Sequence, residues 1–157
     1  MATRGSTLSL KGRALKYLSA REHSRVELAR KLMPHAEDPS EIDRVLNDLE
    51  SRGWLSAERF VESVVHRKAA RYGAARIRLE LNGHQLPDEA VRSALSGLRG
   101  TELQRAQALW LRRYGQVAES PQERAKQMRF LAGRGFSGDV IRQVVRGSSD
   151  TEDPNEA

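Results

Sequence analysis

The chain contains no cysteine, so disulfides and thiolate metal sites are excluded. Aromatic residues are scarce at 5% of the sequence, and no stretch approaches the ~20 apolar residues that cross a bilayer. The opening MATRGSTLSLKGRALKYL has its apolar period broken by Lys11, Gly12 and Arg13, unlike the continuous apolar core of a secretion signal. These absences predict a soluble protein of the cytoplasm with no membrane partner. The four histidines, His23, His35, His66 and His84, are too far apart in sequence to pair as metal ligands on one helical turn. There is neither a His-Glu-x-x-His motif nor a Gly-Lys phosphate loop. Catalytic residues, metal and cofactor are therefore all expected to be absent, and the chain reads as a non-enzyme.

What the sequence does have is charge, 31% of all residues, together with abundant Leu, Ala, Arg and Glu. Such side chains lose little rotamer freedom in a helix, so an all-α fold is expected. The helices should repeat. Ile42, Val45, Leu46 and Leu49 follow the i, i+3, i+4, i+7 spacing of one helical stripe, and Val91, Ala94, Leu95 and Leu98 reproduce it 49 residues later. Ile141, Val144 and Val145 begin it a third time after a further 50. Ahead of each stripe stands a leucine that closes a shorter helix, at Leu32, Leu81 and Leu131, and ahead of that a longer amphipathic helix. In the second unit this carries Phe60, Val61, Val64, Val65, Ala69 and Tyr72; in the third, Leu103, Ala106, Leu109, Trp110 and Tyr114.

The expected architecture is a tandem repeat of three three-helix units forming an elongated, curved array. Residues 1–7 are expected to be a flexible start, 8–58 the first unit, 59–98 the second, 99–146 the third and 147–157 a disordered acidic tail. Punctuation supports these divisions. Asp38-Pro39-Ser40-Glu41 reads as a reciprocal helix cap, Pro87 and Pro121 open helices, and Gly53, Gly83, Gly115 and Gly133 fall where helices should stop. Arg-Tyr-Gly occurs at 71–73 and again at 113–115. Tyr72 is expected to end a helix facing inward, with Gly73 supplying the turn. The two copies lie 42 apart rather than 50, which assigns about eight extra residues, QVAESPQE, to the third unit.

Net charge is +6, but its placement is more informative. The tail holds four acids and no base, which leaves 27 bases against 17 acids, or +10, in the rest of the chain. Residues 8–58 balance at nine and nine, whereas residues 59–78 have six bases against Glu62 alone and residues 99–134 have eight against three. An acidic partner meeting the middle and last thirds is implied. The candidate contact residues are Arg67, Lys68, Arg71, Arg76 and Arg78 around the first Arg-Tyr-Gly, with Arg112, Arg113, Lys126 and Arg129 in the third unit. In an arbitrary helical protein such residues are more often a solvated face, but solvated faces usually mix signs.

SRGWLSAERFV at 51–61 and YGAARIRLELNGHQL at 72–86 resemble the RecX family, bacterial regulators of the RecA recombinase. The resemblance covers most of residues 8–146. It implies a monomer of curved helical repeats that binds RecA filaments on single-stranded DNA, lies along the filament groove and suppresses ATPase and strand exchange. The setting it implies is homologous recombination, DNA repair and the SOS response, with DNA met inside that filament. Two other readings stand beside it: a direct DNA binder of helix-turn-helix-like units, and a helical scaffold without nucleic acid. The acid-rich third helix SEIDRVLNDLE disfavours a base-reading role, and the clustered positive charge disfavours the scaffold.

Overall fold

The structure, a computed structural model, describes residues 7–146. The expected acidic tail, and all but one residue of the expected flexible start, lie outside the described residues. The described residues form nine α-helices and no strand. They are α1 Leu10–Ala20, α2 Arg25–Leu32, α3 Pro39–Ser51, α4 Ala57–Lys68, α5 Ala74–Asn82, α6 Asp88–Arg99, α7 Glu102–Arg113, α8 Pro121–Gly133 and α9 Gly138–Arg146, with one 3-10 turn, Met33–His35, after α2.

Short polar residues start most of these helices by satisfying orphan amides. The hydroxyls of Ser9, Ser24, Ser56 and Ser120 accept from the backbone N–H of Gly12, Glu27, Arg59 and Glu123, capping α1, α2, α4 and α8. Asp38 caps α3 by accepting from Ser40 N–H at 2.9 Å. The reciprocal bond expected from Glu41 is not among its contacts. Glu123 instead makes a return bond at α8, accepting from Glu119 N–H at 3.1 Å.

The helices pack in consecutive threes, and the principal helix contacts all fall within a trio. Each trio has its own core. Ala14, Leu28, Leu32, Ile42, Leu46, Leu49 and Leu55 form the first. Phe60, Val61, Val64, Ile77, Leu81, Leu95 and Leu98 form the second. The third is built on Ala106, Leu109, Trp110, Leu131, Phe136, Ile141, Val144 and Val145. Leu32, Leu81 and Leu131, equivalent in the repeat, are each fully buried. Exclusion of these side chains from water contributes roughly 1.5–3 kcal/mol apiece and is the main reason the trios form.

Two expectations are corrected in the third trio and at the first Arg-Tyr-Gly. The second helix of the last trio, α8, is not short: it has 13 residues, against 9 in α5. The extra QVAESPQE is divided between the loop before Pro121 and the first turn of α8, because Ser120 and Pro121 start a helix there. Tyr72 is not the end of a helix. α4 stops at Lys68, and Tyr72 follows in a turn whose N–H donates back to the Lys68 carbonyl at 2.9 Å.

Gly73 also has a different purpose from the one expected. Its φ is −81°, which any residue tolerates, whereas Gly115 in the second copy has φ +68° and Gly53 after α3 has +73°. Gly73 is required by proximity. Its N–H donates to the Arg134 carbonyl at 2.8 Å, and a Cβ built on it would sit 2.3 Å from the Gly135 carbonyl oxygen. Gly135, at φ +88°, is as tightly placed against Arg76, whose backbone nitrogen would be 2.6 Å from an added Cβ. Two glycines thus bring the backbones of the second and third trios into contact.

The first and second trios meet through polar groups. Ser24 Oγ lies 2.6 Å from His84 Nδ1, whose ring packs within the second trio at 4.6 Å from that of Phe60. Arg59 reaches Glu22 at 3.0 Å and the Gly53 carbonyl at 2.7 Å.

The glycine contact gives a discriminating prediction. Gly73→Ala should lower stability by about 1–3 kcal/mol, since backbone has to move to admit the methyl. Gly53→Ala, with nothing within 4 Å of its added Cβ, meets only the left-handed backbone penalty of about 1 kcal/mol. Urea unfolding of both variants checks this; a larger loss at Gly53 than at Gly73 contradicts the tight joint.

Candidate interaction surface

The second and third trios are joined by charge as well as by glycine. Arg105, on α7, is half-buried and directs its guanidinium at the ends of other helices. Its Nη1 donates to the carbonyls of Ala69 at 2.7 Å and Tyr72 at 2.8 Å, its Nη2 to the Leu98 carbonyl at 3.0 Å, and its Nε to Thr101 Oγ1 at 3.1 Å. The Ala69 and Leu98 carbonyls lie at the C-terminal ends of α4 and α6, where a cation is favoured by the helix dipole, and the Tyr72 carbonyl lies in the turn that follows α4. One turn earlier on α7, buried Glu102 accepts from Ala74 N–H at 3.2 Å, at the first residue of α5. A carboxylate at a helix start is the matching favourable placement. Burial pulls the Arg105 guanidinium down from its ordinary value and Glu102 opposes this; arginine's intrinsic basicity keeps it charged.

Over this joint lies a set of arginines on aromatic rings. Tyr72 carries Lys68, Arg76 and Arg134, each 5.3 Å from its centroid. Phe130 carries Arg113 at 5.2 Å and Arg134 at 5.3 Å, and meets Tyr114 edge-on at 5.7 Å. Arg134 therefore bridges a ring of each trio. Such contacts are worth about 0.5–1 kcal/mol each at exposed sites, so their effect is mainly to fix where the positive charges stand.

The nine candidate residues divide on this basis. Lys68 pairs with Glu80 at 3.5 Å as well as touching Tyr72, Arg76 also reaches the Gly133 carbonyl at 3.4 Å, Arg112 donates to the Ala70 carbonyl at 3.3 Å, and Arg113 lies on Phe130. Glu80, one turn after Arg76 on α5, is taken by Lys68. Arg67, Arg71, Arg78, Lys126 and Arg129 are exposed, and among the described residues none of them has an internal partner. Arg67 and Arg71 are not on one continuous helix face, since α4 ends between them.

Sequence reasoning missed Glu102, Arg105, Arg134 and Gly135. Glu102 and Arg105 act 28–36 residues away in sequence, a separation at which no local pattern marks a partner. Gly135 had a signal, a second glycine two residues after Gly133, but Gly133 drew the assignment.

Comparison with known proteins decides the family. Models of the RecX first three-helix domain and the RecX third three-helix domain match residues 11–49 and 101–145. Regulatory protein RecX of Leptothrix cholodnii is 60% identical over 146 residues, 93% of each chain. This chain belongs to the RecX family. Regulatory protein RecX of Ralstonia pickettii is 52% identical over 91% of this chain and 90% of its own. A crystal structure of RecX from Lactobacillus salivarius shares the fold, with a TM-score of 0.72 at 23% identity over 87% of this chain and 92% of that one. The α1–α3 and α7–α9 trios thus coincide with recognised RecX domains, and the Arg105 joint starts within the third of these.

Arg105→Ala takes the guanidinium from the Ala69, Tyr72 and Leu98 carbonyls, of which Leu98's keeps the Thr101 N–H at 3.2 Å. It should cost about 2–3 kcal/mol, by the scale of hydrogen bonds to charged groups, and Arg105→Lys should recover less than half because an ammonium cannot fork to three carbonyls. Urea midpoints of the two variants decide this; equal stability of Arg105→Lys and parent would mean that charge alone, and not the fork, holds the joint.

Proposed function

We propose that the chain is a regulator of the RecA recombinase that docks on the RecA filament formed on single-stranded DNA and lowers its ATPase and recombinase activity. Family membership supports the regulatory role, since the relatives are regulatory proteins RecX. One observation carries the choice of docking surface. Around the joint of the second and third trios, Arg67, Arg71 and Arg78 are exposed without an internal partner, while neighbouring cations are held in place by aromatic rings.

A groove built of protein carboxylates and DNA phosphates is the natural complement of that surface. Guanidinium groups grip carboxylate and phosphate oxygens in pairs. Positions already fixed by Tyr72 and Phe130 lose less side-chain freedom when they meet a partner. Lys126 and Arg129 on α8 add exposed cations in the third trio. The chain acts as a monomer in this reading, with three trios following the filament, and uses no cofactor. No helix among the described residues is long and apolar enough to cross a membrane, and the proposed setting is the cytoplasm, where the filament is.

Reversing Arg67→Glu and Arg71→Glu together should weaken inhibition of RecA's single-strand-dependent ATPase about tenfold or more, because like-charge repulsion adds to the lost attraction. A single reversal should change it little, since exposed pairs are worth about 0.2–1 kcal/mol. The loss should shrink as salt is raised. Helix content ought to be unchanged, both side chains being exposed. A folded double variant that inhibits like the parent at low and high salt would move the docking surface to Arg112, Arg113, Lys126 and Arg129.

A further inference from the structure

The first trio is neutral by count between residues 8 and 58, yet the fold separates its charges. Along one side, acids of α3 neutralise bases: Arg25 meets Asp43 at 3.6 Å and Glu50 at 3.0 Å, and Asp48 takes Lys11 at 2.8 Å and Arg52 at 3.0 Å. On another side, Arg13, Lys16 and Lys31 have no acid partner among the described residues. Arg13, Lys16, Tyr17 and Ala20 fall at i, i+3, i+4 and i+7 on α1 and therefore form one stripe. With Leu8 and with Lys31 from α2 they wall a groove of about 400 Å³ that no carboxylate of the described residues lines. The carboxylate of Glu27 on α2 is already committed to Arg21, with contacts of 3.1 and 2.5 Å.

Lys31 gives the groove its character. Its ammonium lies 2.9 Å from His23 Nε2 and 4.8 Å from the centre of the Tyr17 ring. His23 is buried, and its Nδ1 is 2.9 Å from the Arg21 carbonyl. That carbonyl can only accept, so Nδ1 carries the proton and Nε2 accepts from Lys31. Burial also pushes the His23 imidazolium down from its ordinary value, which favours the neutral ring. Both groups that hold the ammonium are thus neutral, and the charge is fixed in position without being cancelled. Arg13 and Lys16, on the same groove, have no side-chain partner among the described residues.

We propose that this groove is a second, separate nucleic-acid site, in which Arg13, Lys16 and Lys31 hold phosphates of a single strand and the floor of Leu8, Tyr17 and Ala20 receives a base. Grooves for single strands combine backbone-tracking cations with an apolar or aromatic floor. Two of the three cations are lysines, point charges suited to phosphate, and the fork of Arg21 beside them is already filled by Glu27. From Arg13 to Ala20 the stripe runs roughly 10 Å along the helix, longer than one phosphate group, so successive phosphates of a strand fit it better than an isolated one. This site lies in the first trio and does not rest on the RecA docking proposed above.

The test is fluorescence anisotropy of a labelled oligothymidylate with the full-length protein, between about 50 and about 200 mM salt. The parent should bind with a salt-dependent affinity. The triple variant Arg13→Ala, Lys16→Ala, Lys31→Ala should bind at least about tenfold more weakly at the lower salt, with a log–log salt slope shallower by about 2, since each phosphate contact with a single strand contributes about 0.7. A matched variant, Lys11→Ala, Arg25→Ala, Arg52→Ala, removes the same charge from acid-paired positions and should keep the parent's slope. Should the triple variant lose helix content, the single variants Arg13→Ala and Lys16→Ala, both lacking side-chain partners, should each flatten the slope by about 0.7. A parent that does not bind the oligonucleotide, or variants that keep its affinity and slope, overturns the proposal. So does displacement of the strand by ATP at equal phosphate concentration, which would mark a site for free nucleotides. Displacement by polyglutamate at equal charge would mark a site for acidic peptide and overturn it equally.

Discussion

Backbone contact between Gly73 and Gly135 is the constraint on which the basic half of the molecule depends. A side chain at either position would collide with main chain of the neighbouring trio, so the two trios approach as closely as peptide groups allow. That approach brings the end of α4, the start of α5 and the end of α6 within reach of a single helix, α7. Glu102 and Arg105 then complement helix ends of opposite polarity from positions three residues apart. Tyr72, displaced from the end of α4 into a turn, and Phe130 on α8 become neighbours close enough to share Arg134. The exposed arginines of the candidate docking surface stand around that joint.

Repeat architecture explains why so much depends on joints. Each trio closes its own small core, and stability is then a sum of trio terms and of terms between nearest neighbours. The two joints are built differently. The first uses a Ser24–His84 hydrogen bond and the exposed Arg59–Glu22 pair, where salt and solvent reduce the electrostatic part. The second uses main-chain contact and a half-buried guanidinium bonded to three carbonyls, which solvent competes with less. The second joint is accordingly the firmer, and it coincides with the surplus of positive charge.

Trio architecture was legible in the sequence because it is written in local periodicity. Ile42, Leu46 and Leu49, with their counterparts at 95, 98, 141 and 145, are buried where the helical spacing put them. Leu32, Leu81 and Leu131 marked the second helices for the same reason. Helix ends were less legible. A pattern of apolar residues continued through Ala69 to Tyr72, but the helix stopped at Lys68, where Arg105 receives the carbonyls that follow. Gly73 was marked by its neighbours Arg71 and Tyr72, though its reason is a partner 62 positions away in the sequence, a relation that no single-chain spacing reveals. Charge counting located the basic regions but could not separate Arg67 and Arg71, which are free, from Arg76 and Arg113, which lie on rings. In the first trio counting failed outright, since nine bases and nine acids cancel as a sum while the fold sorts them to different sides.

The joint of the second and third trios is the surface proposed to meet the RecA filament. Hydrogen–deuterium exchange of the full-length chain, free and bound to RecA filaments on single-stranded DNA, tests it most directly, because it reports protection residue by residue without altering any side chain. Protection gained over residues 67–79 and 112–129 is the predicted result. Protection confined to the first trio, with the joint exchanging as in the free chain, would contradict the account.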